Sequence, residues 1–256
     1  MIVTGQETNN GRRFALEEAA NFDIIYEEGP VLAVNKEPGL LTQAPAGIDS
    51  LELRVKDYLT RKGGKTGKCY LGVPHRLDRP ASGLILFATN SRATNRLSEQ
   101  FRARTVEKRY WALAEGHVPE ESGVWRDYMR KIPGKAEAEL VPPIHPDARE
   151  AVLRYEVKGR FPGFTWLEIE LETGRTHQIR LQCASRGFPL LGDAQYGSTV
   201  PFGEQYEDER LRAIALHSRH MVFVHPTTKA SIVLEAPLRA AWNLIDSPQQ
   251  DQLQTF

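Results

Sequence analysis

The sequence has few cysteines and no long apolar run, and both absences restrict where the protein can work. Its 256 residues include only Cys69 and Cys183, with no Cys-x-x-Cys pair. A disulfide framework and a thiol-based metal or redox site are therefore disfavoured. No run reaches the roughly 18 apolar residues of a membrane-spanning helix, and the polar residues 1–10 do not resemble a signal peptide. We therefore expect a cytoplasmic protein with reduced thiols and no membrane partner.

The chain also lacks net charge, because 33 basic residues balance 33 acidic ones. Neutrality by itself argues against a nucleic-acid-binding protein. The basic residues nevertheless collect in two groups, one within 54–68 and one comprising Arg102, Arg104, Lys108 and Arg109. This segregation permits a basic face on a neutral molecule. The alternative interpretation of each group is a solvated helix face or a flexible loop.

Sequence motifs for nucleotide cofactors and for serine hydrolases are missing. There is no Gly-x-Gly-x-x-Gly after a strand, no P-loop and no Gly-x-Ser-x-Gly, so neither chemistry has support. His217, His220 and His225 lie close together in the sequence. Without an Asp or Cys at ligand spacing they indicate a metal site only weakly. We expect no metal and no cofactor.

Hydrophobic patterns predict many short strands and a few helices. Runs of apolar or alternating residues predict strands at 23–36 (two strands around a Gly-Pro turn), 84–88, 106–114, 164–172, 221–224 and 231–235. Helical spacing predicts helices after Ser50, after Asn90 or Ser91, and from Thr176 to about Gly187. Residues 131–149 are expected to be the least structured. The pattern indicates an α+β fold with a mainly antiparallel or mixed sheet.

Asp78 is the first candidate functional residue. It lies within His75-Arg76-Leu77-Asp78-Arg79-Pro80-Ala81-Ser82-Gly83, immediately before the apolar run 84–88. Asp78 is therefore expected on a loop anchored by a buried strand, a position that often carries catalytic groups. A surface ion pair between Asp78 and a neighbouring arginine is an equally simple interpretation of this segment alone.

Two further segments add candidate residues. In the segment 174–180, Thr176 is a natural N-cap, which would place Arg175 and Arg180 at a helix start. Such a start attracts a phosphate or a carboxylate such as that of Asp78. In the predicted strand 106–114, Tyr110 follows two basic residues. An aromatic ring among basic residues suits a stacked base, although strand tyrosines are most often core or rim residues.

Taken together, these stretches resemble the RluA-type RNA pseudouridine synthases, over roughly residues 22–240 and in the family's order. Several motifs of this length that occur in the same order along the chain are highly specific for a family. They are Val34-Asn35-Lys36-Glu37-Pro38-Gly39, the segment 75–83, Glu107-Lys108-Arg109-Tyr110-Trp111-Ala112-Leu113, Gly174-Arg175-Thr176-His177-Gln178-Ile179-Arg180, Gly192-Asp193-Ala194-Gln195-Tyr196-Gly197, and the ending from Leu216-His217-Ser218 to Ala236-Pro237-Leu238.

The resemblance implies roles for individual residues. Asp78 corresponds to the catalytic aspartate that drives cleavage of the uridine glycosidic bond. Tyr110 corresponds to the tyrosine that stacks on the target uracil, and its hydroxyl is a candidate base in a glycal route. Arg180 corresponds to the arginine that pairs with the aspartate, and Arg76 to the one that fills the gap left by the flipped nucleotide. Further RNA contacts are expected from His75, Arg175, Thr176 and Lys108.

The resemblance also implies the pseudouridine synthase fold, a reaction that needs neither cofactor nor metal, and a structured ribosomal or transfer RNA as partner. We expect a weakly ordered arm at 1–20, a single catalytic domain at 21–245, a tail at 246–256 and a monomeric protein. Because only about 20 residues precede the catalytic region, RNA recognition is expected to use the surface of that domain or a partner.

The chain departs from the family pattern at two places. Ala81 stands where threonine is common, and Leu181-Gln182-Cys183 replaces the usual Arg/Val-x-His. These differences bear on packing or RNA contacts rather than on chemistry. A non-catalytic RNA-binding or RNA-chaperone module on the same scaffold is the main alternative function. A hydrolytic nucleosidase is a weaker one.

Overall fold

The computed structural model describes residues 22–63 and 69–245, which divide into two compact units. Unit 1 contains the described residues up to Glu107 together with His220–Ala236, and unit 2 contains Lys108–Arg219 and residues 237–245. The arm expected at 1–20 and the tail expected at 246–256 lie outside the described residues. The expectation of a single domain over 21–245 stays a prediction.

The described residues form ten β-strands and three α-helices. The strands are β1 (Asp23–Glu28), β2 (Val31–Lys36), β3 (Ser82–Ala88), β4 (Glu107–Glu115), β5 (Ser122–Lys131), β6 (Ala138–Leu140), β7 (Arg149–Phe161), β8 (Phe164–Leu171), β9 (Leu216–Val224) and β10 (Ser231–Glu235). The helices are α1 (Leu51–Gly63), α2 (Ser91–Arg102) and α3 (Gln178–Ala184). The α+β class is confirmed. None of these helices combines the length and the apolar character that crossing a bilayer would require.

In unit 1, strand β3 is buried on both faces, which explains its uninterrupted apolar sequence. It pairs antiparallel with β2, which pairs with β1, while β9 pairs with β10. Leu84 and Leu86 of β3 pack in a cluster that includes Leu97 of α2, while Ile85 and Phe87 pack in another that includes residues of α1. Because successive side chains of β3 point to opposite faces of the sheet, α2 packs against one face of this strand and α1 against the other.

In unit 2, strands β4, β8, β7, β5 and β6 pair antiparallel in that order. Strand β8 alternates as predicted, because Leu167 and Ile169 are fully buried while Glu170 is exposed. A core cluster contains Leu113 of β4 and Trp242, together with residues of the loops between α3 and β9.

Strands β5, β6 and β7 were not predicted. They occupy or flank the segment 131–149, which the sequence indicated as the least structured part. Their exposed positions carry charges, such as Arg126 of β5, which forms an ion pair with Glu150 of β7. Because the two charges lie on paired strands, they neutralise each other only once the strands meet. In β7, however, Leu153, Tyr155 and Val157 alternate with charged residues, which is a strand signal that the sequence analysis missed.

Helix α3 is shorter than predicted, and it begins at Gln178 rather than directly after Thr176. It spans Gln178–Ala184, and its N-cap is His177, whose φ of 53° lies in the left-handed region. The Gln178 side chain accepts hydrogen bonds from the main-chain N–H of Arg175 and from the hydroxyl of Thr173, at 3.0 and 2.8 Å. These bonds stabilise a turn before the helix, so the expectation of Thr176 as an N-cap was wrong.

Candidate active site

The main chain immediately before Asp78 is fixed by one threonine. The Thr42 hydroxyl donates a hydrogen bond to the Leu77 carbonyl at 3.0 Å and accepts one from the Leu77 N–H at 3.2 Å. Both main-chain groups of Leu77 are thereby satisfied by one side chain. The Ala81 N–H then donates to the Asp78 carbonyl at 3.2 Å, which closes the turn.

Arg79, on the other side of Asp78, is held by the segment after β2. Its Nε donates to the Gly39 carbonyl at 2.8 Å, and the Gly39 N–H donates back to the Arg79 carbonyl at 2.9 Å. Gly39 has a φ of 80°, a conformation that favours glycine. The fully buried Lys36 Nζ donates to the carbonyls of Glu37, Leu40 and Arg79, at 2.7, 2.7 and 3.0 Å. Arg79, which had no role in the sequence analysis, therefore shapes the loop.

His75 attaches the start of the loop to its own unit. Its Nε2 accepts a hydrogen bond from the Leu86 N–H at 2.8 Å, so a neutral His75 ring carries its proton on Nδ1. The ring also stacks on Phe101, the penultimate residue of α2, with the ring centroids 4.4 Å apart. These contacts tie the loop to β3 and α2.

Asp78 and Arg76 are the residues of this loop whose side chains are candidates for contact with a ligand. Asp78 is half-buried on the turn between two fixed segments. Arg76 is exposed, and its side chain has no hydrogen bond or ion pair with any residue in the described ranges. The loop thus combines a carboxylate on a well-supported main chain with an exposed guanidinium that is available to a ligand.

Tyr110 lies in β4 of unit 2, opposite Ile169 of β8, and its side chain is buried. Lys108 is half-buried, and Arg109 lies 3.9 Å from Glu168. Trp111, the residue after Tyr110, packs against Trp166, with the ring centroids 4.6 Å apart.

Arg180 is held by an acid that the sequence analysis did not single out. Its Nε and Nη2 each contact a carboxylate oxygen of Asp193 at 2.7 Å, and Nη2 also donates to Gln195 at 2.7 Å. The side chains of Arg180 and Asp193 are only 3% and 1% exposed. The guanidinium carbon lies 4.9 Å from the centroid of the Tyr196 ring. Asp193 lies in the segment Gly192-Asp193-Ala194-Gln195-Tyr196-Gly197, for which the sequence predicted no role. A pairing of Arg180 with Asp78 stays a prediction.

Arg175 and Thr176, which are also predicted to contact RNA, lie shortly before Arg180 in the sequence. Arg175 Nε donates to the Glu150 carbonyl at 2.9 Å. Thr176 is half-buried in the turn before α3. His177, which follows, places its Nδ1 2.9 Å from the Tyr196 hydroxyl. A connected set of polar contacts therefore surrounds the start of α3.

The basic group on α1 is largely neutralised within unit 1. Arg54 contacts Asp49 at 2.6 Å and Lys56 contacts Glu52 at 2.6 Å. Lys62 likewise contacts Glu27 at 2.5 Å. For the described part of this group, a solvated helix face is therefore the better interpretation.

The histidines considered as metal ligands have structural contacts instead. His225 Nδ1 accepts hydrogen bonds from the main-chain N–H groups of Thr227 and Thr228, at 3.2 and 3.0 Å. His220 lies 3.7 Å from Glu235 across the β9–β10 pair. Within residues 22–63 and 69–245, no three acidic, histidine or cysteine side chains are grouped as a metal ion would require.

The family model described as RNA pseudouridylate synthase matches residues 30–185. The chain belongs to this family. A Bacillus subtilis relative, named as the uncharacterized RNA pseudouridine synthase YlyB, is 34% identical over 87% of this chain and 71% of that protein. The Xanthomonas campestris protein named ribosomal large subunit pseudouridine synthase D is 33% identical over 84% of this chain and 66% of its own length. The chain thus spans about two thirds of the length of such relatives.

Solved structures confirm the fold of this pseudouridine synthase. Human RNA pseudouridylate synthase domain containing 4 superposes with a TM-score of 0.71 at 21% identity, covering 93% of this chain and 95% of the human one. Human RNA pseudouridylate synthase domain containing 1 gives a TM-score of 0.63 at 23% identity, covering 86% and 84%. Asp78, Tyr110 and Arg180 all lie within the residues that the family model matches.

Proposed function

We propose that this synthase isomerises a uridine of structured ribosomal RNA to pseudouridine, with Asp78 as the catalytic carboxylate. The observation that carries the proposal is the loop around Asp78. Hydrogen bonds from Thr42, Lys36 and Gly39 fix the main chain on both sides of this half-buried residue. A carboxylate held in place before the substrate arrives loses little freedom on reaching the transition state, which favours catalysis.

The chemistry of the reaction suits a carboxylate. The bond from ribose C1′ to uracil N1 breaks, the base rotates, and a bond from C1′ to C5 forms. The C5 hydrogen leaves as a proton and N1 gains one, so nothing is oxidised and no group is lost. An ionised Asp78 supports this sequence either by attacking C1′ or by stabilising positive charge there, as glycosidase carboxylates do.

The remaining roles follow from the resemblance. Arg180 is proposed to pair with Asp78. Tyr110 is proposed to stack on the target base, and its hydroxyl is the candidate base of a glycal route. Flipping a base costs a few kcal/mol, and stacking on an aromatic ring returns about 1–3 kcal/mol. Arg76, exposed and available, is proposed to fill the vacated stack. The rest of the proposed RNA-contacting set is His75, Arg175, Thr176 and Lys108.

Ribosomal RNA is proposed as the first substrate to test because the Xanthomonas campestris relative is named for the large ribosomal subunit. Transfer RNA is the alternative. The cytoplasm remains the expected compartment for either substrate.

The test compares Asp78→Asn with the wild-type enzyme and with Asp49→Asn. Asparagine removes the charge and nucleophilicity of residue 78 at nearly constant size. Asp49 is an exposed acid of the same unit whose partner is Arg54, so Asp49→Asn controls for loss of one surface carboxylate. Chemical mapping of pseudouridine in ribosomal and transfer RNA from a strain lacking the gene, treated with each enzyme, should show modification by the wild type and Asp49→Asn alone.

Three results would contradict the proposal. Wild-type turnover by Asp78→Asn would remove Asp78 from the chemistry. Release of free uracil without pseudouridine would indicate a nucleosidase. Full complementation of a deletion strain by Asp78→Asn would indicate a non-catalytic RNA-binding module.

A further inference from the structure

Arg104, just beyond the end of α2, has a backbone conformation that arginine rarely adopts. Its φ is 59°, in the left-handed region where glycine is the usual residue after a helix. The helix ends in a turn in which the Arg104 N–H donates to the Phe101 carbonyl at 3.3 Å and the Thr105 N–H to the Gln100 carbonyl at 3.0 Å. The backbone at this position therefore favours glycine, so backbone geometry does not explain why arginine stands here.

Arg104 follows the end of α2 that contacts the Asp78 loop. Phe101, three residues earlier, stacks on His75, and Arg76 follows His75 in the chain. Arg104 is exposed, and its side chain has no hydrogen bond or ion pair with a residue of the described segments. Two exposed arginines, Arg76 and Arg104, therefore lie within three residues of a pair of stacked rings in the sequence.

Helix α2 is itself fixed in place. The Gln100 side chain donates to the Val224 carbonyl and accepts from the Val224 N–H, both at 2.8 Å. Arg96 Nη1 donates to the Pro226 carbonyl at 2.6 Å. Arg104 thus extends from a rigid element, which reduces the entropy that a bound ligand must remove.

Stabilisation of the helix dipole explains Arg104 less well. A cation near a helix C-terminus is favourable, but Arg102 already occupies the last turn and pairs with Glu99 at 2.5 Å. A second cation beyond the helix adds little, and it does so at a position where the backbone disfavours arginine.

We propose that Arg104 binds a backbone phosphate of the RNA substrate, close to the nucleotide that Asp78 modifies. This inference rests on the proposed function. The planar guanidinium matches the geometry of a phosphate, and phosphate contacts set the position of a nucleic acid without reading its sequence. Arg104 would then place the RNA backbone relative to the loop that carries the catalytic carboxylate.

The test measures RNA binding by Arg104→Gly, in which the backbone is expected to relax. The probe is a fluorescein-labelled RNA hairpin with uridines in its loop. It is titrated with protein at salt concentrations from about 50 to about 300 mM, over which affinity that depends on phosphate contacts falls steeply. We expect affinity to fall about three- to tenfold and the plot of log affinity against log salt to become shallower by about 0.7–0.9. The thermal midpoint should stay equal or rise.

Two variants serve as controls. Arg104→Lys keeps the charge, so it should retain the wild-type salt dependence. Lys229 has a φ of 66° and is exposed on the turn between β9 and β10, so Lys229→Gly removes one charge and the same kind of backbone strain elsewhere in unit 1. Its RNA affinity should equal that of the wild type.

Three outcomes would overturn the inference. They are wild-type affinity and salt dependence in Arg104→Gly, an equal loss in Lys229→Gly, or a lowered thermal midpoint in Arg104→Gly that accounts for weaker binding. In each case the wild type still binds the hairpin, and the proposed function stands. Failure of the wild type to bind RNA in a salt-dependent way would instead contradict the proposed function itself.

Discussion

Replacing Asp193 by alanine is expected to destabilise unit 2 strongly. Arg180 and Asp193 are 3% and 1% exposed and share two contacts of 2.7 Å. Alanine removes the carboxylate that contacts both Nε and Nη2 of this buried guanidinium. Breaking a buried ion pair by removing one partner costs about 3–5 kcal/mol. That is a large share of the roughly 5–15 kcal/mol by which most domains are stable.

Urea denaturation followed by tryptophan fluorescence measures this loss. With a slope of about 3 kcal/mol per molar urea, the unfolding midpoint of Asp193→Ala should lie about 1–1.7 M below that of the wild type. Glu209→Ala is the matched control, because Glu209 forms an exposed ion pair with Arg212 in the same unit. Such a pair contributes at most about 1 kcal/mol, so the control should shift the midpoint by no more than about 0.3 M.

A loss of less than about 1 kcal/mol in Asp193→Ala would refute this reasoning, because it would mean that the Arg180 charge is well solvated or compensated without Asp193. Asp193→Asn separates charge from shape. Its amide oxygen can still accept one hydrogen bond from Arg180, so its loss should fall between those of Asp193→Ala and the control.

Two further predictions concern other buried groups. Burial raises the pKa of the Cys183 thiol above its ordinary value, so the thiolate forms more readily in the unfolded chain than in the folded one. The free energy of unfolding of the wild type should therefore fall as the pH rises above about 8.5, by up to about 1.4 kcal/mol per pH unit. Cys183→Ala should lack this contribution in unfolding measurements at pH 7 to 10, and an unchanged alkaline slope would contradict it. Lys36→Met leaves three main-chain carbonyls without their shared donor, and should lower the unfolding free energy by about 2 kcal/mol or more as well as slow pseudouridine formation. Wild-type stability and activity in Lys36→Met would show that the Asp78 loop does not depend on it.

Local sequence signals predicted the elements whose stability is itself local. The cap of α2 is an example, because the Asn90 side chain accepts a hydrogen bond from the Ala93 N–H at 2.8 Å as the sequence suggested. The apolar run of β3 was equally informative, since a strand buried on both faces needs no partner to be recognised. Asp78 was singled out because its segment resembles the family together with several other motifs in the same order, and its role stays a prediction.

The parts that escaped prediction depend on contacts between distant residues. Thr42 and Lys36 reach the Asp78 loop from 35 and 43 positions away, and both bind main-chain carbonyls. Every residue has a main-chain carbonyl, so the sequence does not indicate which carbonyl a given side chain will bind. The start of α3 was misplaced because the Gln178 side chain, rather than that of Thr176, satisfies the preceding turn.

The way in which the Asp78 loop is held bears on how such an enzyme can change its substrate. Its main chain is supported by side chains from outside the loop, chiefly Thr42 and Lys36. Arg76 contributes nothing to that support among the described residues. Substitutions at Arg76 are therefore expected to be tolerated structurally, so that RNA preference can diverge during evolution, or be altered by engineering, while the carboxylate keeps its position.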